Sequence, residues 1–239
     1  MTSVSRQRKG FTLIELLTVI AIIGILAAAL FPGVQGVMRR AKQSTASTQL
    51  RNVAQSYITF HDGKKNIKQG QWGLTVQPNS GPSFAASISD LAAVLAINAG
   101  LNAAEIWYVS ADAANDNANF PKQVLIGAAG QQTIEPKMVT GSDGDGFISW
   151  SSYVPSNKNL NNNIPIVWTR GLLTTGKWDA VTGVWGADGG HVAFGDAHVD
   201  WVTDVSDSPF VSKRPQGGTT LNWQEAVSSG SAPVELKSK

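Results

Sequence analysis

The sequence contains no cysteine. Disulfides, zinc–thiolate sites, iron–sulfur clusters and cysteine nucleophiles are therefore excluded. Charged residues are scarce, at 15% of 239 positions, while Gly, Ser, Asn and Thr are plentiful. That balance suits one membrane segment plus a loop-rich, secreted or surface-type domain better than a cytosolic enzyme. A basic excess is also missing. Arg6, Arg8 and Lys9 stand in the first ten residues with no acid beside them; without these three, 16 basic residues face 17 acidic ones, formally −1. Charge therefore gives no reason to expect a nucleic-acid partner. There is no P-loop, no GxSxG elbow and no complete GxGxxG, and no internal repeat of the solenoid type.

What the chain does have is a long apolar run, KGFTLIELLTVIAIIGILAAALF, at residues 9–31. Between residues 11 and 31 only Thr12, Glu15, Thr18 and Gly24 are not clearly apolar. A helix of that length spans about 31 Å, close to the roughly 30 Å hydrocarbon core of a bilayer. The basic flank before it stays cytoplasmic by the positive-inside rule, which sends the C-terminal bulk outward. A cleaved secretory signal needs a shorter apolar stretch and a small-residue cut site, and none stands out before FPGVQG. A plain signal anchor explains the length but leaves Glu15 without a role. A carboxylate placed centrally in such a span costs roughly 2.5–3.5 kcal/mol, so Glu15 is a functional candidate in need of a partner.

The segment Gly10-Phe11-Thr12-Leu13-Ile14-Glu15-Leu16, directly after a basic flank, resembles the N-terminus of type IV prepilins and type II secretion pseudopilins. The resemblance covers about residues 6–40. It implies that a membrane aspartyl prepilin peptidase cuts after Gly10, removing a 1–10 leader, and N-methylates Phe11. It also gives Glu15 a physical role. Both the new amine on Phe11 and the Glu15 carboxylate carry a desolvation cost in an apolar packing environment. Pairing Glu15 of one subunit with the Phe11 amine of a neighbour would set axial register, as a single polar position does in a coiled coil. Pairing within one subunit, a turn apart, is also open.

Beyond Phe31 the helix meets Pro32, Gly33 and Gly36, which weaken it. Apolar periodicity then returns at Val34, Val37, Met38 and Ala41, and again at Leu50, Val53, Ala54, Tyr57 and Ile58. One helix over 11–62 is expected, with its first half (11–31) as membrane span and filament core, a weak point at Pro32, and Gly63 as C-cap. The resembled fold has this layout, and its proline at this place allows local melting as a subunit leaves the bilayer. The fold class expected is α+β and pilin-like: a long N-terminal helix packed on an antiparallel sheet within a 63–239 head.

In the head, residues 87–99 read as a helix ended by Gly100. Strands are expected at 106–110, 124–126, 147–154 and 164–169. The stretches ADAANDNANFP and PSNKNLNNN read as loops. His191-Val192-Ala193-Phe194 and His198-Val199-Asp200-Trp201-Val202 alternate around Gly195-Asp196-Ala197, which predicts a hairpin near 191–203. It resembles the C-terminal hairpin of a group of pilin-like proteins, except that Ala197 stands where that group has glycine. Because alanine tolerates positive φ badly, Gly195 is expected to carry it through a shifted turn.

Other chemistry reads weakly. His198-x-Asp200 resembles two ligands of an iron triad, but only His61 and His191 remain as a third. Asp143-Gly144-Asp145-Gly146 resembles a calcium loop, yet Phe147 and Val154 stand where oxygen ligands belong. The tryptophans Trp150, Trp168, Trp185 and Trp201, expected on strands, read as core rather than a sugar platform. No cofactor, metal or catalytic residue is expected. The function implied is a non-catalytic subunit in the inner membrane, head outside, assembled with other pilin-like subunits on a secretion or pilus assembly platform. A type II secretion pseudopilus is the first reading; a type IV pilin for adhesion, motility or DNA uptake, and a membrane-anchored surface binding module, are the alternatives.

Overall fold

The computed structural model describes residues 11–63, 87–113, 120–128, 132–139, 148–153, 162–207, 210–211, 218–227 and 235–236. The helices there are α1 (Leu13–Gly63), α2 (Ile88–Ala99), α3 (Pro136–Val139) and α4 (Trp223–Val227). The strands are β1 (Leu125–Ile126), β2 (Thr133–Ile134), β3 (Trp150–Tyr153), β4 (Pro165–Thr169), β5 (Gly190–Phe194), β6 (Val199–Val202), β7 (Phe210–Val211), β8 (Thr219–Thr220) and β9 (Glu235–Leu236). The chain divides into two compact units, residues 1–41 and 42–239. The expected loops at ADAANDNANFP and PSNKNLNNN, the Asp143–Asp145 motif and the leader lie wholly or mostly outside the described residues.

In the first unit α1 is apolar on every face and buries none of them. Phe11, Leu13, Leu16, Ile20, Ile23 and Phe31 are all well exposed. An all-round apolar helix needs lipid or other helices around it. The α1 backbone continues through Pro32 without a break. Val34, Val37 and Met38, where apolar periodicity was expected to return, are exposed as well.

The second unit begins with the rest of α1. Ala46, Leu50, Val53, Ala54 and Tyr57 are buried, one stripe at helical spacing. The side chains of Gln49 and Lys42 donate to the carbonyls of Glu105 (2.9 Å) and Ser110 (3.4 Å). Helix α2 starts with a reciprocal cap: Asp90 N–H donates to Ser87 Oγ (3.4 Å), and Ser87 N–H to Asp90 Oδ2 (3.1 Å). Such a box satisfies two amides that a helix start leaves open. Gly100 ends α2 at φ 72, its N–H donating to the carbonyl of Leu95.

The main sheet has the order β6-β5-β4-β3-β9, antiparallel throughout. Strands β3 and β4 are buried at every position, so both faces of the sheet centre are covered. On one, Trp168 packs on Trp223 of α4, with ring centroids 5.0 Å apart. Ser152 Oγ in this centre donates to the carbonyl of Ile166 (2.7 Å), whereas Ser151 Oγ and Trp168 Nε1 are buried without a hydrogen-bond partner. At Gly190 there is no room for a β-carbon, which would run into Thr169 Oγ1 and the Trp178 ring.

Two local expectations are corrected. Residues 106–110 are not a strand: Ala104–Trp107 is a 3₁₀ turn. It buries Trp107 completely, and the Ile106 carbonyl accepts from Trp150 Nε1 (2.8 Å). At the tip of the β5–β6 hairpin, Ala197 itself takes φ 67, and Gly195 has no positive φ. Phe194 N–H donates to the His198 carbonyl (3.0 Å), and Ala197 N–H to the Phe194 carbonyl (2.8 Å). This is a three-residue loop, whose third position is left-handed. Alanine there costs about 1–2 kcal/mol. Asp196 Oδ1 offsets part of it by accepting from His198 N–H (3.0 Å).

His191 lies inside this sheet, 4% exposed, and burial pushes its pKa down to about 4. The unfolded chain, with an ordinary value of about 6.5, binds the proton first. Stability is then full at neutral pH and falls as pH drops from about 6.5 to about 4, by on the order of 3 kcal/mol. Urea midpoints should fall between pH 7 and pH 4.5, and His191→Gln should flatten that fall. An equally steep fall in the variant would place the cause elsewhere.

Candidate functional site

The expected site residues lie at the start of α1, and Gly10 is outside the described residues. Phe11 precedes the helix and is 88% exposed. In this uncut chain its nitrogen is a peptide N–H and carries no charge. Glu15 does not point into empty space. Its Oε2 accepts from the Thr12 N–H (2.9 Å) and the Thr12 hydroxyl (2.8 Å), while Glu15 N–H donates to Thr12 Oγ1 (3.3 Å). With α1 starting at Leu13, this is a second capping box, Thr12-x-x-Glu15.

The signal for this box stands in the sequence, where Thr-x-x-Glu precedes an apolar run. It gives the Glu15 carboxylate a local partner in the separate subunit. The negative charge also falls at the positive end of the helix dipole. Pro32 lies inside α1, 17 residues beyond Glu15. Among the described residues, Leu13–Phe31 is long and apolar enough to cross a membrane.

In the hairpin, His198 bonds Asp196 through Nδ1, stacks on Phe194 with centroids 4.4 Å apart, and brings Nε2 to 3.7 Å from Asp200. Both carboxylates serve an exposed histidine. Among the described residues no group of three His, Asp or Glu side chains could hold a metal. Trp150, Trp168 and Trp185 are buried and Trp201 half-buried.

A capped, all-round apolar N-terminal helix continued into a helix-on-sheet body defines an α+β, pilin-like protein. Residues 5–31 match the family model described as the prokaryotic N-terminal methylation motif. The chain is 46% identical over 70 residues to the fimbrial protein of Moraxella nonliquefaciens, across 26% of this chain and 46% of that one. It is 48% identical over 69 residues to the type IV wide pilus major component PilA4 of Thermus thermophilus, across 29% and 53%. With the type II secretion system core protein G of Pseudomonas aeruginosa it shares 34% over 80 residues, across 32% and 56%. The chain thus spans about half the length of these curated relatives. No solved structure matches it. Residues 5–31 thus match the N-terminal methylation motif, and the relatives alike in this part of the chain are named as type IV pilins and type II secretion core proteins.

Proposed function

We propose that the chain is a pilin-like filament subunit. Prepilin peptidase cuts it after Gly10 and N-methylates Phe11. The helix then waits in the inner membrane, head outside, before joining other pilin-like subunits on an assembly platform. The observation that carries this reading is the methylation motif at 5–31 on a helix whose apolar faces nothing in its own unit covers. Residues 1–10 are then a leader, and Pro32 a point where the helix yields on leaving the bilayer.

The finer reading is a type II secretion pseudopilus, supported by the likeness to core protein G. A type IV pilus for adhesion, motility or DNA uptake has its own support in the fimbrial relatives. A glycan-binding surface module would need exposed aromatic rings, whereas Trp107, Trp150, Trp168, Trp178, Trp185 and Trp223 are buried.

The test is the intact mass and N-terminal sequence of the chain from membranes with an active prepilin peptidase. The expected product begins at N-methyl-Phe11, and Gly10→Val should leave the chain uncut. A wild-type chain still beginning at Met1 would overturn the processing reading.

A further inference from the structure

A polar cleft of about 260 Å³ opens between the second half of α1 and the β5–β6 hairpin. One wall is a single helix stripe: Ser44, Ser47, Thr48 and Arg51, at i, i+3, i+4 and i+7. Opposite stand His191 and Trp201, a cross-strand pair of the hairpin. An interface between a helix and a sheet is normally closed by apolar side chains. This stretch is left open and lined with hydrogen-bond donors.

Most of these donors are free among the described residues. Among the described residues, Arg51 makes no ion pair, and Ser44 and Ser47 donate to nothing through their side chains; Thr48 Oγ1 already donates to the Ser44 carbonyl (3.1 Å). Buried His191 adds an independent sign. Its Nδ1 is sealed from solvent with no hydrogen-bond partner. Its Nε2 is not sealed in this way, although it too has no partner. An orphaned buried acceptor costs less than an orphaned buried N–H, so the ring proton belongs on Nε2. The ring edge that faces the cleft is then a donor as well. It is held edge-on by Trp201, with centroids 4.9 Å apart. No acid is among the described lining residues, and Arg51 makes the lining cationic.

We infer that this cleft binds a carboxylate, held by the Arg51 guanidinium, the serine hydroxyls and His191 Nε2–H. A planar carboxylate matches the guanidinium fork. The volume falls below the roughly 300–1,000 Å³ of ordinary ligand sites, so it takes a small organic acid or one carboxylate side chain of a second copy. The inference is independent of the filament reading, because every lining residue belongs to the 42–239 unit.

The test uses the full chain in a non-ionic detergent, ¹⁵N-labelled, following the Trp201 indole N–H assigned through Trp201→Phe. Sodium acetate is titrated at neutral pH against sodium chloride of equal ionic strength. Acetate should shift the resonance saturably, and chloride should not. Arg51→Gln, at an exposed position that leaves the fold intact, should weaken acetate about tenfold or more, the size of one charge-assisted hydrogen bond. Arg51→Lys should recover part of it. A shift that grows with protein concentration alone, yields to acetate and vanishes in Arg51→Gln places the carboxylate on a second copy. Saturation at constant, dilute protein places it on a free acid. No saturable response to acetate or to protein concentration, or an unchanged response in Arg51→Gln, overturns the site.

Discussion

Asp112→Ala should cost the head about 3–5 kcal/mol, the usual loss when one partner of a buried ion pair is removed. Asp112 is the hub of a buried polar network. Its Oδ1 accepts from Arg170 Nη2 (2.8 Å), and its Oδ2 accepts from Ser149 Oγ (2.7 Å). The two charged side chains are 2% and 14% exposed. Ser149 Oγ in turn accepts from the Val109 N–H (2.9 Å), which locks the end of the 3₁₀ segment to the edge of β3. Arg170 also reaches the carbonyls of Ile148 (3.3 Å) and Thr182 (3.0 Å). Alanine would leave a desolvated guanidinium with carbonyls only and a buried hydroxyl without its acceptor.

Asp112→Asn keeps an acceptor for Ser149 but loses the charge, so its loss should be smaller. All eight tryptophans lie at or beyond residue 72, so their fluorescence in a urea titration reads the head alone. The expected result is a lower midpoint at unchanged slope, largest for alanine. Equal midpoints for wild type and Asp112→Ala would show that the pair contributes nothing net.

What could be read in the sequence follows the range of the interaction involved. The long helix was legible because both of its halves carry a periodic or continuous apolar pattern, and the structure extends it from Leu13 to Gly63. The cap at Ser87 and the stop at Gly100 are local chemistry and fall within one residue of the expected ends of α2. The hairpin was legible through alternation, but the conformation of Ala197 was not, because the Asp196 side chain that fixes the turn competes with alanine's intrinsic preference. Residues 106–110 misled for the opposite reason. Ile-Trp-Tyr-Val has strand composition, yet the need to bury Trp107 and to supply an acceptor for Trp150 Nε1 curls the chain. Asp112 and Arg170 are 58 positions apart, and no local pattern joins them. The cleft was equally invisible, since a polar helix stripe reads as solvated until the sheet edge facing it is known.

Glu15→Val should reduce incorporation into filaments by at least about tenfold, or about 1.4 kcal/mol per subunit contact, while leaving membrane insertion and cleavage after Gly10 intact. Two effects meet at this carboxylate, and they can be separated. One is local: Glu15 closes the cap with Thr12, and loss of a cap costs about 1 kcal/mol of helix stability. The other acts between subunits. Cutting after Gly10 would turn the Phe11 nitrogen from a neutral amide into an amine cation. That cation needs an anion when helices pack away from water, and Glu15 is the acid nearest to it in the apolar run. Valine removes both effects at once. Glutamine removes one, because its amide oxygen can still accept from the Thr12 N–H in the capping box but carries no charge. If charge pairing sets register, Glu15→Gln fails to incorporate nearly as badly as Glu15→Val, and the two variants keep wild-type cleavage. If the cap is what matters, Glu15→Gln assembles normally and only Glu15→Val fails. Immunoblots of sheared filaments against membrane fractions, with the N-terminus of each pool sequenced, read the difference directly. Normal assembly of both variants would leave Glu15 with no role in assembly.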